Sequence, residues 1–91
     1  MTQARNWTVE ITISEHEDER RTHASAILRS GVRSVLRGEG EAHRSPRDRE
    51  VPEIGDEVAA ARALADLAYK LLDVAAADIE QFTHRPVHLT S

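Results

Sequence analysis

The chain contains no cysteine, three aromatic residues, four glycines, three prolines and a single lysine among 91 residues. Without cysteine there is no disulfide framework, no thiolate nucleophile and no cysteine-based zinc site, and the chain suits a reducing compartment. With only Trp7, Tyr69 and Phe82, a sheet surface on which nucleic-acid bases stack is not expected, and any RNA contact would be to backbone or shape. No apolar run reaches the roughly 18 to 20 residues of a membrane span, and residues 1–6 carry no apolar segment behind Arg5. The expectation is therefore a cytoplasmic protein, neither exported nor membrane-inserted. Gly38-Glu39-Gly40 lacks the third glycine of a dinucleotide fingerprint and lies inside a strand pattern, so no phosphate-cradling loop is expected.

Charge and apolar pattern are what the chain does have. It carries 12 basic and 16 acidic residues, with 40% hydrophobic residues, the composition of one small soluble domain over residues 1–91. Eleven of the bases are arginine, which reads as compositional bias. Residues 1–50 hold nine arginines and nine acids, whereas residues 51–91 hold three bases and seven acids. Whole-chain acidity argues against indiscriminate binding to phosphate backbones but leaves room for a local arginine-lined face. A domain this short buries about 60% of the surface its unfolded chain exposes, so without a disulfide or metal staple a homodimer is expected.

The run Trp7-Thr8-Val9-Glu10-Ile11-Thr12-Ile13 alternates apolar and polar residues, the period of a half-buried strand. It predicts a strand near 7–13, with Trp7, Val9, Ile11 and Ile13 facing the core. The polar stretch from Ser14 makes the turn of a hairpin, and a second strand near 21–29 returns with Thr22, Ala24, Ala26 and Leu28 on one face. After Ser30-Gly31, a third strand near 34–43 places Leu36, Gly38, Gly40 and Ala42 on one face. Two inward glycines in a strand imply that another element's backbone approaches closely there.

Residues 45–52 read as a loop. Asp56 is the expected helix cap, and no glycine or proline then appears before Pro86. Ile54, Val58, Ala61, Ala65, Ala68, Leu72, Ala75, Ile79 and Phe82 follow a 4,3 spacing, widened by Leu64, Leu67, Leu71 and Val74, while Arg62, Asp66, Lys70 and Asp73 oppose them. One helix over 56–83 would be roughly 40 Å long, against about 23 Å for a seven-residue strand. The expectation is a break, giving a long helix at 56–76 and a short one at 78–84 capped by Asp78, with any overhang packed on another subunit. The fold class is α+β, a three-stranded antiparallel sheet on C-terminal helix.

Chemistry-bearing groups are few. His84 and His88 are spaced i,i+4, but Pro86 between them spoils a helical ligand pair, so no metal is expected. His23 and His43 fall on outward strand faces with no orienting partner assigned. Glu53, Asp56 and Glu57 read as helix-start residues. No catalytic residue, cofactor or small-molecule substrate is expected, and the chain is read as not an enzyme. The one basic cluster is Arg44, Arg47 and Arg49, with Arg29, Arg33 and Arg37 on or near the second and third strands; arginine's planar fork suits phosphate contacts.

Trp7-Thr8-Val9-Glu10-Ile11, Thr22-His23-Ala24-Ser25-Ala26, Gly38-Glu39-Gly40-Glu41-Ala42, Val51-Pro52-Glu53-Ile54-Gly55-Asp56-Glu57, Arg62-Ala63-Leu64 and Asp78-Ile79-Glu80 together resemble a small actinobacterial family, of mycobacterial type, of unknown function. The resemblance spans nearly the whole chain. It implies a fold like the double-stranded-RNA-binding domain (dsRBD), usually dimeric, with a likeness to ribosome hibernation factors and a role in dormancy. The functional expectation is a non-enzymatic homodimer that binds RNA or the ribosome under stress through Arg29, Arg33, Arg37, Arg44, Arg47 and Arg49. The rival is a protein-interaction module whose acidic helix face, Asp66, Asp73 and Glu80, meets a basic partner.

Overall fold

The structure, a computed structural model, describes residues 2–31, 34–44 and 51–89. Three strands, β1 (Thr8–His16), β2 (Arg21–Arg29) and β3 (Leu36–His43), form an antiparallel sheet in the order β1-β2-β3, followed by one helix, α1 (Pro52–Thr83). β1 runs three residues further than the alternation indicated, through Ser14, Glu15 and His16, which pair with His23, Thr22 and Arg21. The hairpin closes through a single 3-10 turn, Glu17–Glu19, and Arg20, whose φ of 50° lies in the left-handed region and whose N–H donates to the Glu17 carbonyl at 3.1 Å.

The register fixes which residues share a face. Val9, Ile11 and Ile13 stand opposite Leu28, Ala26 and Ala24, which in turn stand opposite Leu36, Gly38 and Gly40. Directly opposed residues point to the same side of a sheet, so in the rows that end on Ile11 and Ile13 side-chain size rises from glycine on β3, through alanine on β2, to isoleucine on β1, while the third row is Leu36, Leu28 and Val9. The helix settles where the side chains are smallest. A Cβ on Gly38 would meet the Leu67 Cβ at 2.7 Å, and one on Gly40 would meet the Ala59 carbonyl oxygen at 2.6 Å. The close backbone approach expected from the two glycines is present.

The core is correspondingly slight: Ala24, Ala26, Leu28, Ala59, Ala63 and Leu67, with Leu36, Ala42 and Leu71 partly buried against it. This corrects two expectations. The helix stripe that enters the core is Ala59, Ala63 and Leu67, whereas Ala61, Ala65 and Ala68 are exposed; glycine on β3 selects the helix face with the smallest side chains. Trp7, Val9, Ile11 and Ile13 are not core residues, being 53%, 44%, 38% and 40% exposed. The last three lie on the helix-bearing face, but α1 covers β2 and β3 and stops short of β1.

The helix also differs from expectation at both ends. It begins at Pro52, four residues before Asp56, with Val51 as a cap that makes no side-chain hydrogen bond. Proline at the first helical position has its φ preset and gives up only an N–H that has no intrahelical partner anyway. Asp56 lies inside the helix. The expected break near Asp78 is absent, and α1 runs unbroken for 32 residues to Thr83, about 48 Å. An aspartate in mid-helix costs well under 1 kcal/mol in propensity, too little to interrupt a run without glycine or proline. His84, at φ 58°, ends it, its N–H donating to the Glu80 carbonyl at 2.7 Å.

The polar flank of α1 seals the outer edge of β3. Arg62 Nη1 donates to the Glu41 carbonyl at 2.7 Å, the Glu39 N–H donates to Asp66 Oδ2 at 2.9 Å, and Lys70 Nζ donates to the Arg37 carbonyl at 2.8 Å. Three side chains spaced i, i+4, i+8 thus take alternate backbone groups of the strand, as a fourth strand would.

Candidate functional site

The arginines singled out for phosphate contact divide between the two ends of the sheet. Arg37 is paired in register with Ile27, two residues from Arg29, so these two exposed side chains share one end. Arg44 follows His43, which pairs with Arg21 at the other end. The seven residues from Arg37 to Arg44 span roughly 23 Å of extended chain. Arg33, Arg47 and Arg49 lie outside the described residues. At the first end Arg37 reaches Glu39 at 3.9 Å, the limit of an ion pair.

The other end holds a cleft of about 330 Å³ where the β1–β2 turn, the end of β3 and the start of α1 converge. Arg20, Arg21, Arg44 and Arg62 line it with His16 and His43, against the carboxylates Glu15 and Glu17. Its floor is apolar: Ala42, Val51, Ile54 and Val58. Each arginine arrives by a different route. Arg20 is set by its left-handed backbone, and its carbonyl accepts the Arg44 N–H at 2.9 Å. Arg21 opens β2 and is held between Glu19 (3.0 Å) and Glu41 (2.8 Å), while Arg62 is held by the Glu41 carbonyl. Of these four, only Arg44 stands out in the sequence; Arg20, Arg21 and Arg62 are joined by the tertiary fold and share no linear motif.

Two carboxyls are held below their ordinary range. Partial burial opposes ionisation of Glu41, but the charge and hydrogen bond of Arg21, with His43 at 3.4 Å, outweigh it. Asp66 is lowered by the Glu39 backbone N–H first, then by Lys70 at 3.0 Å. Both anions are thereby committed to the fold. The acidic helix face also changes character, because Asp66 is bound to the β3 edge and Glu80 Oε1 accepts the Val87 N–H at 2.8 Å. Among the described residues no three metal-ligating side chains come together, and no helix is long and apolar enough to cross a membrane.

The chain is similar to known proteins in sequence and in fold. An uncharacterized protein of Mycobacterium bovis, Mb1767, is 49% identical over 84 residues, covering 92% of this chain and 86% of that one. The uncharacterized protein Rv2632c of Mycobacterium tuberculosis is 44% identical over 79 residues, covering 87% and 82%. A crystal structure of Rv2632c superposes with a TM-score of 0.82 at 40% identity, covering 93% of this chain and 98% of that one. The sequence matches the Rv2632c-like family across residues 5–88. With the sheet, the helix and nearly the full length held in common, the chain belongs to the Rv2632c-like family.

Proposed function

We propose that the chain is a non-enzymatic RNA-binding protein of the ribosome-hibernation kind, cytoplasmic and associated with stress or dormancy, that works as a homodimer and contacts phosphates rather than bases. The observation that carries this reading is the cleft at the Arg44 end, where four arginines meet two glutamates in a chain whose net charge is −4. Local positive charge in an acidic molecule concentrates binding at one place, and the Arg62 guanidinium, fixed by the Glu41 carbonyl, presents its remaining N–H donors without further ordering. Arg47 and Arg49 follow Arg44 in sequence and extend the same basic segment. The sheet with one face covered by helix fits a dsRBD-like fold, whose RNA contacts are to shape and backbone.

The test is sucrose-gradient sedimentation of lysate from stationary or oxygen-starved cells at low and moderate salt, comparing the native chain with an Arg20→Glu, Arg44→Glu variant. Co-migration of the native chain with ribosomal particles, weakened by salt and lost in the variant, supports the reading. Sedimentation of both at the top of the gradient, or association that ignores the charge reversal, overturns it. A second reading, a protein-interaction module without nucleic acid, is favoured by the exposed Val9, Ile11 and Ile13, and predicts that same indifference to the arginine changes.

A further inference from the structure

The two edges of the sheet are treated differently. β3 is sealed by Arg62, Asp66 and Lys70, whereas no described segment pairs with the outer edge of β1. The atoms bound at β3 fix the hydrogen-bond phase of the sheet. Glu39 N and the carbonyls of Arg37 and Glu41 point outward, so Gly38 and Gly40 bond inward to Ala26 and Ala24. Alternation across β2 then turns Glu10, Thr12 and Ser14 toward β2 and leaves the N–H and C=O groups of Val9, Ile11 and Ile13 on the open side. The same three residues carry the exposed apolar side chains of the helix-bearing face. Leu64, 41% exposed, borders that strip from above, because it lies on the flank of α1 opposite Arg62.

The size of the molecule points the same way. Its accessible surface is 7265 Å², against about 5,300 Å² for a compact monomer of this mass. Its radius of gyration is 16.9 Å, against about 12 Å for a compact domain of this length. The surplus, to which the length of α1 also contributes, exceeds the roughly 800 Å² that each partner gives to a standard interface.

We infer that two copies of the chain associate along β1, antiparallel about a two-fold axis at Ile11, joining their sheets into one of six strands. This rests on the homodimer in the proposed function and not on its RNA contacts. Chemistry selects the register. With the axis at Ile11, Ile11 faces its own copy, Val9 faces Ile13, and on the outer surface Glu10 faces Thr12. Moving the axis to Glu10 sets two like charges opposite each other; moving it to Thr12 sets Val9 against Glu15. Of these three registers, only that centred on Ile11 sets the apolar residues of the strip against one another and leaves no carboxylate facing another.

Sedimentation velocity of the full chain at micromolar concentrations is the first measurement, with a mass twice 10.2 kDa expected. The second uses the absence of native cysteine: Glu10→Cys and Thr12→Cys chains are mixed, refolded together and mildly oxidised. In the proposed register the two positions are a closely spaced outer-face pair, about 4.5 Å between Cα atoms, so the mixture forms a covalent dimer well ahead of either chain alone. Packing through the apolar faces instead would hold these positions on opposite outer surfaces. A native chain that stays monomeric overturns both the homodimer and this pairing; a native dimer whose mixed cysteines do not join overturns the pairing and leaves the homodimer standing. Both substitutions lie on the polar face, away from the core.

Discussion

Gly38 shows how much a single missing methyl group decides. Its Cβ would fall against the Ala63 and Leu67 backbone as well as the Leu67 side chain, so Gly38→Ala lifts the helix from β3. We expect a loss of about 1–3 kcal/mol, the usual cost of overpacking, read as a lower urea midpoint at unchanged slope. Gly31 is the contrast: at φ 78° nothing lies within 4 Å of its would-be Cβ, so Gly31→Ala meets backbone strain of about 1–2 kcal/mol without any clash. Asp66 sets a pH dependence. Its folded pKa is depressed, so its contribution is fully present above the ordinary aspartate value near about 4 and is lost as pH falls through the folded value. Asp66→Asn keeps an acceptor for the Glu39 N–H but removes the charge beside Lys70; the fall in stability below about pH 4 should become shallower, as followed by denaturation at stepped pH.

The elements differ in how plainly the sequence announces them. In β2 and β3 alternation and burial coincide, since Ala24, Ala26, Gly38 and Gly40 are both the periodic residues and the buried ones. In β1 the alternation is as regular, yet it marks only the side to which Val9, Ile11 and Ile13 point, and period alone carries no information on whether a helix lies over that side. The helix is legible as a helix but not in its facing, because alanine occurs on every side of it and several stripes satisfy a 3.6-residue period equally. The charged spacing of Arg62, Asp66 and Lys70 reads as i,i+4 pairing; that these residues cap a strand edge depends on a register no local pattern contains. The candidate cleft is still less legible, since Arg20 owes its place to a left-handed turn residue. Two outcomes belong at this scale. Leu67→Asp, at the large end of the buried line, should abolish cooperative unfolding, whereas Leu72→Asp, outside that line, should leave it intact by circular dichroism. Asp66→Ala should speed amide exchange at Glu39 without changing exchange at Ala63, because only the strand edge loses its acceptor.

At the scale of the molecule, four of the six core residues are alanines, and most of the large apolar residues lie outside. Among the described residues no large side chain is fully buried, while Trp7, Ile54, Tyr69 and Phe82 are each more than half exposed. A core of this size gives a single chain little stability of its own. If association supplies the remainder, the melting temperature should rise with protein concentration, as mass action requires of a dimer that unfolds to monomers; scans over a hundredfold dilution series would register the trend, and a flat result would indicate a self-sufficient monomer. The sealed edge of β3 has a consequence for where such association ends. A sheet with two open edges has no reason to stop adding chains, but among the described residues this one has a single open edge, so a first addition would consume it and leave only capped margins. On the proposed pairing, Arg62, Asp66 and Lys70 would act as chain terminators of a polymerisation that halts at two, and stripping all three is expected to turn a closed pair into the repeating unit of a filament.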